Sequence, residues 1–428
     1  MVFVMVDRIL SALGKCGIED YQIVMTDEES AELFFIKKEL DMQRLKEVRT
    51  ANVSIFRVFE EGDQRFRGVA SLQVQESLTQ PEMEKMFADA YYAAGFVKNK
   101  YYDLYKGKAA GMPESEEPFG DKSLAEIAQG FAQALFAEDR YEEVFINSAE
   151  IFARRSTVHI LNSHGVDVSY KKSRVQGEFV VQCIDGQDVE TYQDFSYNGW
   201  NTDALREKTR DAIELTRARA KAKTAPAAGE YRLILSGGYV NELLSYYVTR
   251  ANSSVIYQKY SSFTVGCDVQ GEEVEKDRIN LTMKANVPFS DEGIPMEDRE
   301  LIKDGKLQMI HGGNRFAQYL GIEPTGGYNG YKVDAGNISL EQMKKQPYLE
   351  VVNFSDFQMN GFTGHFGGEI RLAFLYDGTT VTPVTGGSVN GNIFEAQKSF
   401  VFSKEMQVEK DFEGPKAVAM DGVCVAGV

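Results

Sequence analysis

The chain has 428 residues, of which 43% are apolar and 26% charged, and its mean hydropathy is −0.32. This composition predicts an ordered globular protein, and the length predicts two or three domains. The formal net charge of −17 repels phosphate backbones and anionic lipid, which argues against direct binding to nucleic acid or to a membrane surface.

The cysteines and the first residues indicate the cellular compartment. Four cysteines are scattered without the spacing of a metal site or a disulfide framework, which fits a reducing compartment: Cys16, Cys183, Cys267 and Cys424. The apolar run at the start is broken at Asp7 and has no basic region before it, so we expect neither a signal peptide nor a membrane span. These features predict a cytoplasmic protein.

Residues 1–110 are predicted to form an N-terminal α+β domain. A first helix is expected over 7–17, followed by strands with polar turns over 21–75. A second helix is expected over 79–96, where Thr79 can cap the N-terminus and a proline follows in the first turn.

Residues 111–227 are predicted to form a middle α/β domain. It is preceded by a segment rich in glycine, proline and acids, 106–120, which is typical of a surface linker. A helix over 121–137 and alternating strands such as 156–183 follow, and a long helix from Thr202 to Lys223 closes the domain.

Residues 228–428 are predicted to form a β-rich C-terminal domain. It starts with a strand at 231–237, and 15 of the 38 glycines of the chain fall between residues 311 and 391. Asp-Gly pairs predict hairpins at 302–310 and 374–384. The fold class is therefore α+β, with a mixed α/β N-terminal portion followed by a β-rich C-terminal domain.

No local motif identifies a nucleophile, a phosphate loop or a zinc site. The sequence lacks GxGxxG after a strand, GxxxxGK[ST] and GxSxG. Its four histidines are never paired at helical spacing beside a glutamate. His159 in a strand and His164 in a turn are interpreted as structural, whereas His311 at a predicted helix start and His365 among glycines are candidates for a binding groove.

The segment 236–251 is predicted to be a helix that carries a single acid. This acid, Glu242, lies between Asn241 and Tyr246, and no histidine flanks it. A lone glutamate on a helix has no evident catalytic partner, so the sequence pattern by itself leaves its role open.

Two stretches of the third domain, 285–330 and 363–393, resemble the TldD/PmbA family in the order and spacing of their motifs. Members of this family are described as modulators of DNA gyrase and as a zinc peptidase pair. The resemblance implies a C-terminal domain of the TldD/PmbA type and a dimer that encloses a cavity for unfolded peptide.

The resemblance also explains the helix with the lone acid. In the TldD branch this helix reads HExxxH, whose histidines bind zinc together with a later cysteine while the glutamate acts as general base. The matching residues here are Asn241, Glu242 and Tyr246, so both histidines are absent. The last 18 residues, 411–428, lack the Gly-x-Cys-Gly pattern of the family, and the ligand role does not carry over to Cys424. We therefore expect no metal cofactor here.

The segment 252–263 is similar to the PmbA branch, also called TldE, which lacks the metal motif and pairs with TldD. This predicts a non-catalytic subunit of a peptidase assembly that handles unfolded peptides, either as a homodimer or with a TldD-like HExxxH partner. One alternative is a metallopeptidase with a site built from Glu242, His311 and His365. The other is a regulator that acts on DNA gyrase through protein contacts.

Overall fold

The computed structural model describes residues 2–113 and 117–427. Strands from the first two predicted domains form one antiparallel sheet: β1 (Asp20–Ile36), β2 (Glu39–Glu61), β3 (Gln64–Gln75), β4 (Val144–Asn162), β5 (Asp167–Cys183) and β6 (Val189–Tyr197). Their order is β3-β2-β1-β4-β5-β6, so β1 pairs with β4 across the predicted domain boundary. The division of the chain into three domains stays a prediction.

Four helices cover one face of this sheet: α1 (Val2–Lys15), α2 (Gln80–Ala94), α3 (Leu124–Phe136) and α4 (Thr202–Lys221). The alternation of β1 explains the arrangement, because every second side chain points to the same face of a strand. Ile23 and Met25 pack in the core with α1 and α2, while Ala31 and Leu33 pack with α3 and α4. One continuous strand therefore supports both helical pairs.

The opposite face of the sheet contacts the C-terminal domain. Val24 on β1 belongs to a small apolar cluster with Ile160 and Val168, and two side chains of the C-terminal domain, Val287 and Phe289, pack against the same cluster. The side chain of Gln22 adds a hydrogen bond of 2.9 Å to the backbone oxygen of Asp291. The N-terminal sheet is thus a shared wall between the helices and the C-terminal domain.

The described part of the C-terminal domain contains fourteen strands: β7 (Gly229–Ser236), β8 (Leu281–Lys284), β9 (Arg299–Lys303), β10 (Lys306–Leu307), β11 (Gly330–Val333), β12 (Tyr348–Phe354), β13 (Gln358–Met359), β14 (His365–Tyr376), β15 (Val381–Val384), β16 (Ser388–Asn392), β17 (Val401–Phe402), β18 (Met406–Glu409), β19 (Phe412–Pro415) and β20 (Ala417–Ala426). One sheet has the order β10-β9-β8-β11-β19-β18. In the other, β12 pairs with both β7 and β14, which closes the strands β12-β7-β20-β16-β14 into a ring. The predicted β-rich domain is confirmed.

The hairpin predicted at 302–310 is also confirmed. Asp304 and Gly305 connect β9 to β10 with φ angles of 46° and 71°. Two positive φ values in a two-residue loop are typical of a type I′ turn, which Asp-Gly favours.

The remaining helices are α5 (Gly238–Arg250), α6 (Ser253–Tyr257), α7 (Asn314–Leu320), α8 (Leu340–Met343) and α9 (Ile393–Ala396), followed by a 3₁₀ turn at Gln397–Ser399. Of these, α5 packs between the two C-terminal sheets. Leu243 and Leu244 share one buried core with Leu235 of the ring and with Leu281 and Leu301 of the other sheet. Among the described helices, none has the length and apolar character needed to cross a membrane.

We expect Phe131→Ala to lower stability strongly. The Phe131 side chain on α3 is fully buried and packs against Phe195, Tyr197 and Trp200. Its removal should cost about 3–5 kcal/mol, because a cavity remains where the ring was. Urea unfolding followed by circular dichroism measures the change. The control Phe96→Ala, at a side chain that is 66% exposed, should leave the unfolding midpoint nearly unchanged.

Candidate functional site

The helix with the lone acid is α5, and a glycine sets its start. Gly237 has a φ of +67°, a conformation that other residues rarely adopt, and it turns the chain from β7 directly into the helix. The side-chain amide of Gln407, on β18, donates a hydrogen bond of 2.9 Å to the backbone oxygen of Gly237. The first turn of α5 is thereby attached to the β18–β19 hairpin.

Asn241 is held by a tyrosine from the neighbouring sheet. The hydroxyl of Tyr331, on β11, lies 2.5 Å from the backbone oxygen of Asn241 and 2.7 Å from its side-chain oxygen. Burial raises the pKa of Tyr331, so this hydroxyl stays protonated and acts as a donor. The single hydroxyl proton is shared between these two oxygens, so the side-chain oxygen of Asn241 already has a partner within the chain.

Tyr246 lies inside the core. Its side chain is 1% exposed and makes edge contacts with the rings of Tyr247, Phe263 and Phe394. The guanidinium of Arg250 lies 5.8 Å from the centre of the Tyr246 ring. Within the described residues, the Tyr246 hydroxyl has no hydrogen-bond partner. This tyrosine has a packing role.

Glu242 is half-buried and lies next to strand β13. Its Oε1 accepts a hydrogen bond of 3.3 Å from the backbone N–H of Met359. Burial raises the pKa of Glu242, and the Met359 N–H and the positive charge of Lys410 offset part of this effect. The carboxyl group is thus available to solvent and holds its proton to a higher pH than an ordinary glutamate.

These three residues do not fit a zinc ion. The helix is regular from Gly238 to Arg250, so side chains five positions apart diverge by about 140°. Asn241 offers a neutral amide oxygen that is already bonded, and Tyr246 offers a buried phenol, whereas zinc prefers thiolate, imidazole and carboxylate ligands. In the described part of the chain, no three His, Cys, Asp or Glu side chains are grouped so that they could hold a metal ion.

His311 does not lie at a helix start as expected, because α7 begins three residues later at Asn314. His311 is buried, and its Nε2 lies 2.8 Å from the backbone oxygen of Val248 on α5. Burial lowers the pKa of His311, so the ring is neutral and Nε2–H donates to that oxygen. Its Nδ1 has no partner among the described residues. His311 therefore anchors α5 from inside and does not line an open groove.

His365 has a different environment, since it is exposed at the first position of β14. Its backbone pairs with Asn392 on β16, and its backbone oxygen accepts a hydrogen bond of 2.8 Å from the N–H of Asn360. An exposed His365 and a buried His311 do not form a ligand pair with Glu242. A groove role for His365 stays a prediction.

The other two histidines and Cys424 have structural contacts. His159 and His164 lie 2.7 Å and 2.8 Å from the carboxylates of Asp167 and Asp20, respectively. Cys424 is exposed on β20, where its backbone pairs with neighbouring strands. None of these residues lies in a metal-binding group among the described residues.

The turn between β18 and β19 connects the two halves of the protein close to α5, which the sequence analysis missed. The last residue of β18 and the two turn residues form ion pairs with the N-terminal half: Glu409 with Lys208 at 2.9 Å, Lys410 with Asp194 at 2.7 Å and Asp411 with Arg174 at 2.9 Å. Residues far apart in sequence meet here, so no local pattern could have found them.

A pocket of about 280 Å³ opens at this junction. Seven of its lining residues are charged or carry a hydroxyl: Arg174, Glu178, Tyr192, Asp194, Ser196, Lys410 and Asp411. Lys410 of this lining also lowers the pKa of Glu242 through its positive charge, against the larger effect of burial. The lining therefore offers both hydrogen-bond donors and acceptors.

Comparison with known proteins places most of the chain in one family. Residues 114–224 match the PmbA/TldA metallopeptidase central domain, and residues 228–427 match the PmbA/TldA metallopeptidase C-terminal domain. A curated relative, an uncharacterized protein of Methanocaldococcus jannaschii, is 23% identical over 286 residues, which cover 60% of this chain and 64% of that protein. The metalloprotease PmbA of Escherichia coli O157:H7 is 27% identical over 122 residues, which cover 27% of each chain.

Solved structures with the same fold cover the whole chain. A protein of Thermotoga maritima described as a candidate modulator of DNA gyrase aligns over 100% of both chains with a TM-score of 0.76 and 16% identity. TldE from Thermococcus kodakarensis aligns over 99% of this chain and 100% of its own length, with a TM-score of 0.76 and 17% identity. At these identities the likeness concerns the fold.

We expect Glu242→Gln to stabilise the protein in a pH-dependent way. Since burial raises the pKa of Glu242, the folded chain binds this proton more tightly than the unfolded chain, and stability falls as the pH rises from 4.5 through the raised value. Glutamine removes this loss and keeps an acceptor for the Met359 N–H.

The melting temperature of Glu242→Gln should therefore exceed that of the wild type above this pH window, and the difference should shrink below pH 4.5. Differential scanning calorimetry across pH measures it. The control Glu60→Gln, at an exposed site on β2, should show no such trend. A difference of the opposite sign would mean that the Glu242 carboxylate is stabilised in the folded chain.

Proposed function

The chain belongs to the PmbA/TldD metallopeptidase family, and we propose that it is a metal-free, PmbA/TldE-like subunit that works with a TldD-type partner in cleaving unfolded peptides. In this proposal the partner supplies the zinc ion and the general base. This chain supplies part of the peptide-binding surface and of the contact between subunits.

The proposal is supported above all by the contacts of the two residues at the positions where the TldD branch has histidines. Asn241 is bonded to Tyr331, and Tyr246 is packed in an aromatic cluster. Both positions have become structural parts of α5.

Glu242 alone is a weak hydrolytic group. Peptide hydrolysis by this family relies on a metal that polarises the carbonyl and lowers the pKa of water, and a glutamate without that ion lacks both effects. The Glu242 carboxyl is instead bonded to the backbone of Met359, next to a strand that ends in an exposed turn. In this chain the carboxyl group holds that strand.

The other two functions predicted from the sequence have less support. A metal site built from Glu242, His311 and His365 would need His311 to leave a buried hydrogen bond with Val248. Regulation of DNA gyrase is suggested by the description of the Thermotoga maritima neighbour, whose likeness concerns the fold. The net charge of −17 favours a protein-mediated route over direct contact with DNA.

We expect the purified chain to contain much less than one equivalent of zinc, because its donor set does not match zinc. Elemental analysis by mass spectrometry after dialysis measures this, with a TldD-type relative that carries HExxxH as the positive control. Stoichiometric zinc that is lost in Glu242→Gln or His365→Ala would instead support a metallopeptidase with an unusual site.

We also expect the chain to cleave no peptide by itself and to increase cleavage of an unfolded peptide by a TldD-type partner. Since the working base belongs to the partner, Glu242→Gln in this chain should change the activity of the mixture by less than about twofold. The equivalent substitution in the partner's HExxxH should abolish it. Fluorogenic peptide assays with each chain alone and mixed provide the measurement.

Cleavage by this chain alone that is lost with Glu242→Gln would place the working base here and refute the proposal. A mixture no more active than the partner alone would refute the shared assembly.

A further inference from the structure

A cavity of about 260 Å³ lies on the N-terminal sheet, where β2, β1, β4 and β5 run side by side. Its lining includes Phe34, Glu150 and Glu178. Along the strands these residues alternate with others such as Leu33 and Phe179, which pack toward α3 and α4. The three lining side chains therefore lie on the face away from these helices. Typical small-molecule pockets measure roughly 300–1,000 Å³, so this cavity suits one side chain of a larger ligand.

Two β-bulges border the cavity. The register of β1 against β2 shifts between Phe34 and Phe35, and the register of β4 against β5 shifts between Ile146 and Ser148. Bulges bend a strand, redirect its side chains and are frequent next to active sites. The cavity therefore lies where two strands bend, and not on a flat part of the sheet.

One wall of the cavity is apolar. Phe34, Met42 and Val180 belong to this wall. The ring of Phe34 makes an edge contact with Phe152, with 5.6 Å between the ring centres. The guanidinium of Arg44 lies 4.8 Å from the centre of the Phe34 ring, and aromatic faces attract cations. The chain itself thus shows that a guanidinium can lie against this ring.

The polar part of the lining is negative. Glu150 on β4 lies directly opposite Glu178 on β5, and Glu178 lies opposite Asp194 on β6. Like charges at directly opposite positions destabilise a sheet. Lys410 forms an ion pair with Asp194 at 2.7 Å. Glu150 and Glu178 form no ion pair within the part of the chain that the structure describes, so their repulsion remains.

The next row of side chains on the same face is neutralised. Glu32 lies two positions before Phe34 on β1. Its carboxylate binds Arg44 at 2.6 Å and Lys46 at 2.9 Å. Arg44 is also the residue whose guanidinium lies against Phe34. This sheet therefore already contains a basic side chain held by an aromatic ring and a carboxylate, one row away from the two unpaired acids.

A tyrosine fixes the position of one of these acids. The hydroxyl of Tyr192, on β6, donates a hydrogen bond of 2.8 Å to the carboxylate of Glu178. Burial, this hydrogen bond and the charges of Glu178, Asp194 and Glu150 raise the pKa of Tyr192, so the hydroxyl stays protonated and remains a donor. Tyr192 thereby holds the Glu178 carboxylate beside the cavity.

We propose that this cavity binds the side chain of an arginine or lysine residue of an unfolded peptide, with its alkyl part against Phe34 and its charged end between Glu150 and Glu178. Charge complementarity selects this ligand, because a cation relieves the repulsion between the two opposed carboxylates. Long basic side chains bury their alkyl part on apolar surfaces and keep the charged end in a polar environment. Directly opposite residues have Cβ atoms about 4.5–5.5 Å apart, so one guanidinium can bond to both carboxylates.

This inference rests on the proposed function, because it takes an unfolded peptide as the ligand. It adds a basic residue as the feature of the peptide that this chain recognises. The residues that line the cavity belong to β1, β2, β4 and β5. Binding there can therefore be measured with this chain alone and without any cleavage.

The test uses the full chain and two short, unstructured fluorescent peptides that differ at one central residue. One peptide carries arginine, and the other carries citrulline, which has nearly the same shape and no charge. Fluorescence anisotropy should show about tenfold tighter binding of the arginine peptide, because the charge strengthens its hydrogen bonds to the carboxylates.

The double variant Glu150→Gln with Glu178→Gln should reduce this preference to less than about twofold, because it removes both charged acceptors. The matched control Glu60→Gln with Glu323→Gln removes the same charge at two exposed positions and should keep the preference. This control is needed because a chain with a net charge of −17 attracts any cationic peptide. Unchanged melting temperatures would show that both double variants fold.

Three results would each overturn the inference: no binding or equal binding of the two peptides, a preference that survives the Glu150 and Glu178 changes, or a preference that the control loses equally. If the chain stimulates cleavage by a TldD-type partner and shows no arginine preference, only the cavity assignment is wrong. If it shows the preference and stimulates no cleavage, only the proposed function is wrong.

Discussion

The burial of α5 between the two C-terminal sheets determines what the candidate site can do. Once the inner face of the helix is packed, Tyr246 lies in the core and Asn241 meets Tyr331, so neither position can turn toward a common ion. His311 reinforces this arrangement from a third direction through Val248. The packing that stabilises the domain therefore also fixes the directions of the Asn241 and Tyr246 side chains.

The β18–β19 hairpin connects α5 to the N-terminal half of the protein. Lys410 forms an ion pair with Asp194 on β6 and also acts on the charge of Glu242, while Gln407 holds the start of α5. A change in the position of the N-terminal sheet would thus reach α5 through one short hairpin. The pocket lies at the junction between the two halves, and Lys410 of its lining also acts on the charge of the half-buried acid.

One part of the N-terminal sheet is covered on both faces, and another part is exposed. Its central strands are covered by helices on one face and by the C-terminal domain on the other, as the buried clusters around Ile23 and Val24 show. The first half of β2 lies beyond both covers, and there Leu45 is exposed on a free edge. Strand β2 is buried at Val53 and exposed at Leu45, because it extends beyond the elements that pack on it.

The sequence by itself determined the fold class, most helices and the hairpin at Asp304, because periodicity, caps and Asp-Gly turns act over a few neighbouring residues. It also identified α5 and the absence of both histidines. Only the tertiary structure decided that Tyr331 bonds Asn241, that Tyr246 and His311 are buried, and that β1 joins the first two segments in one sheet. These outcomes depend on contacts between residues tens to hundreds of positions apart, and such contacts leave no local pattern in a single sequence.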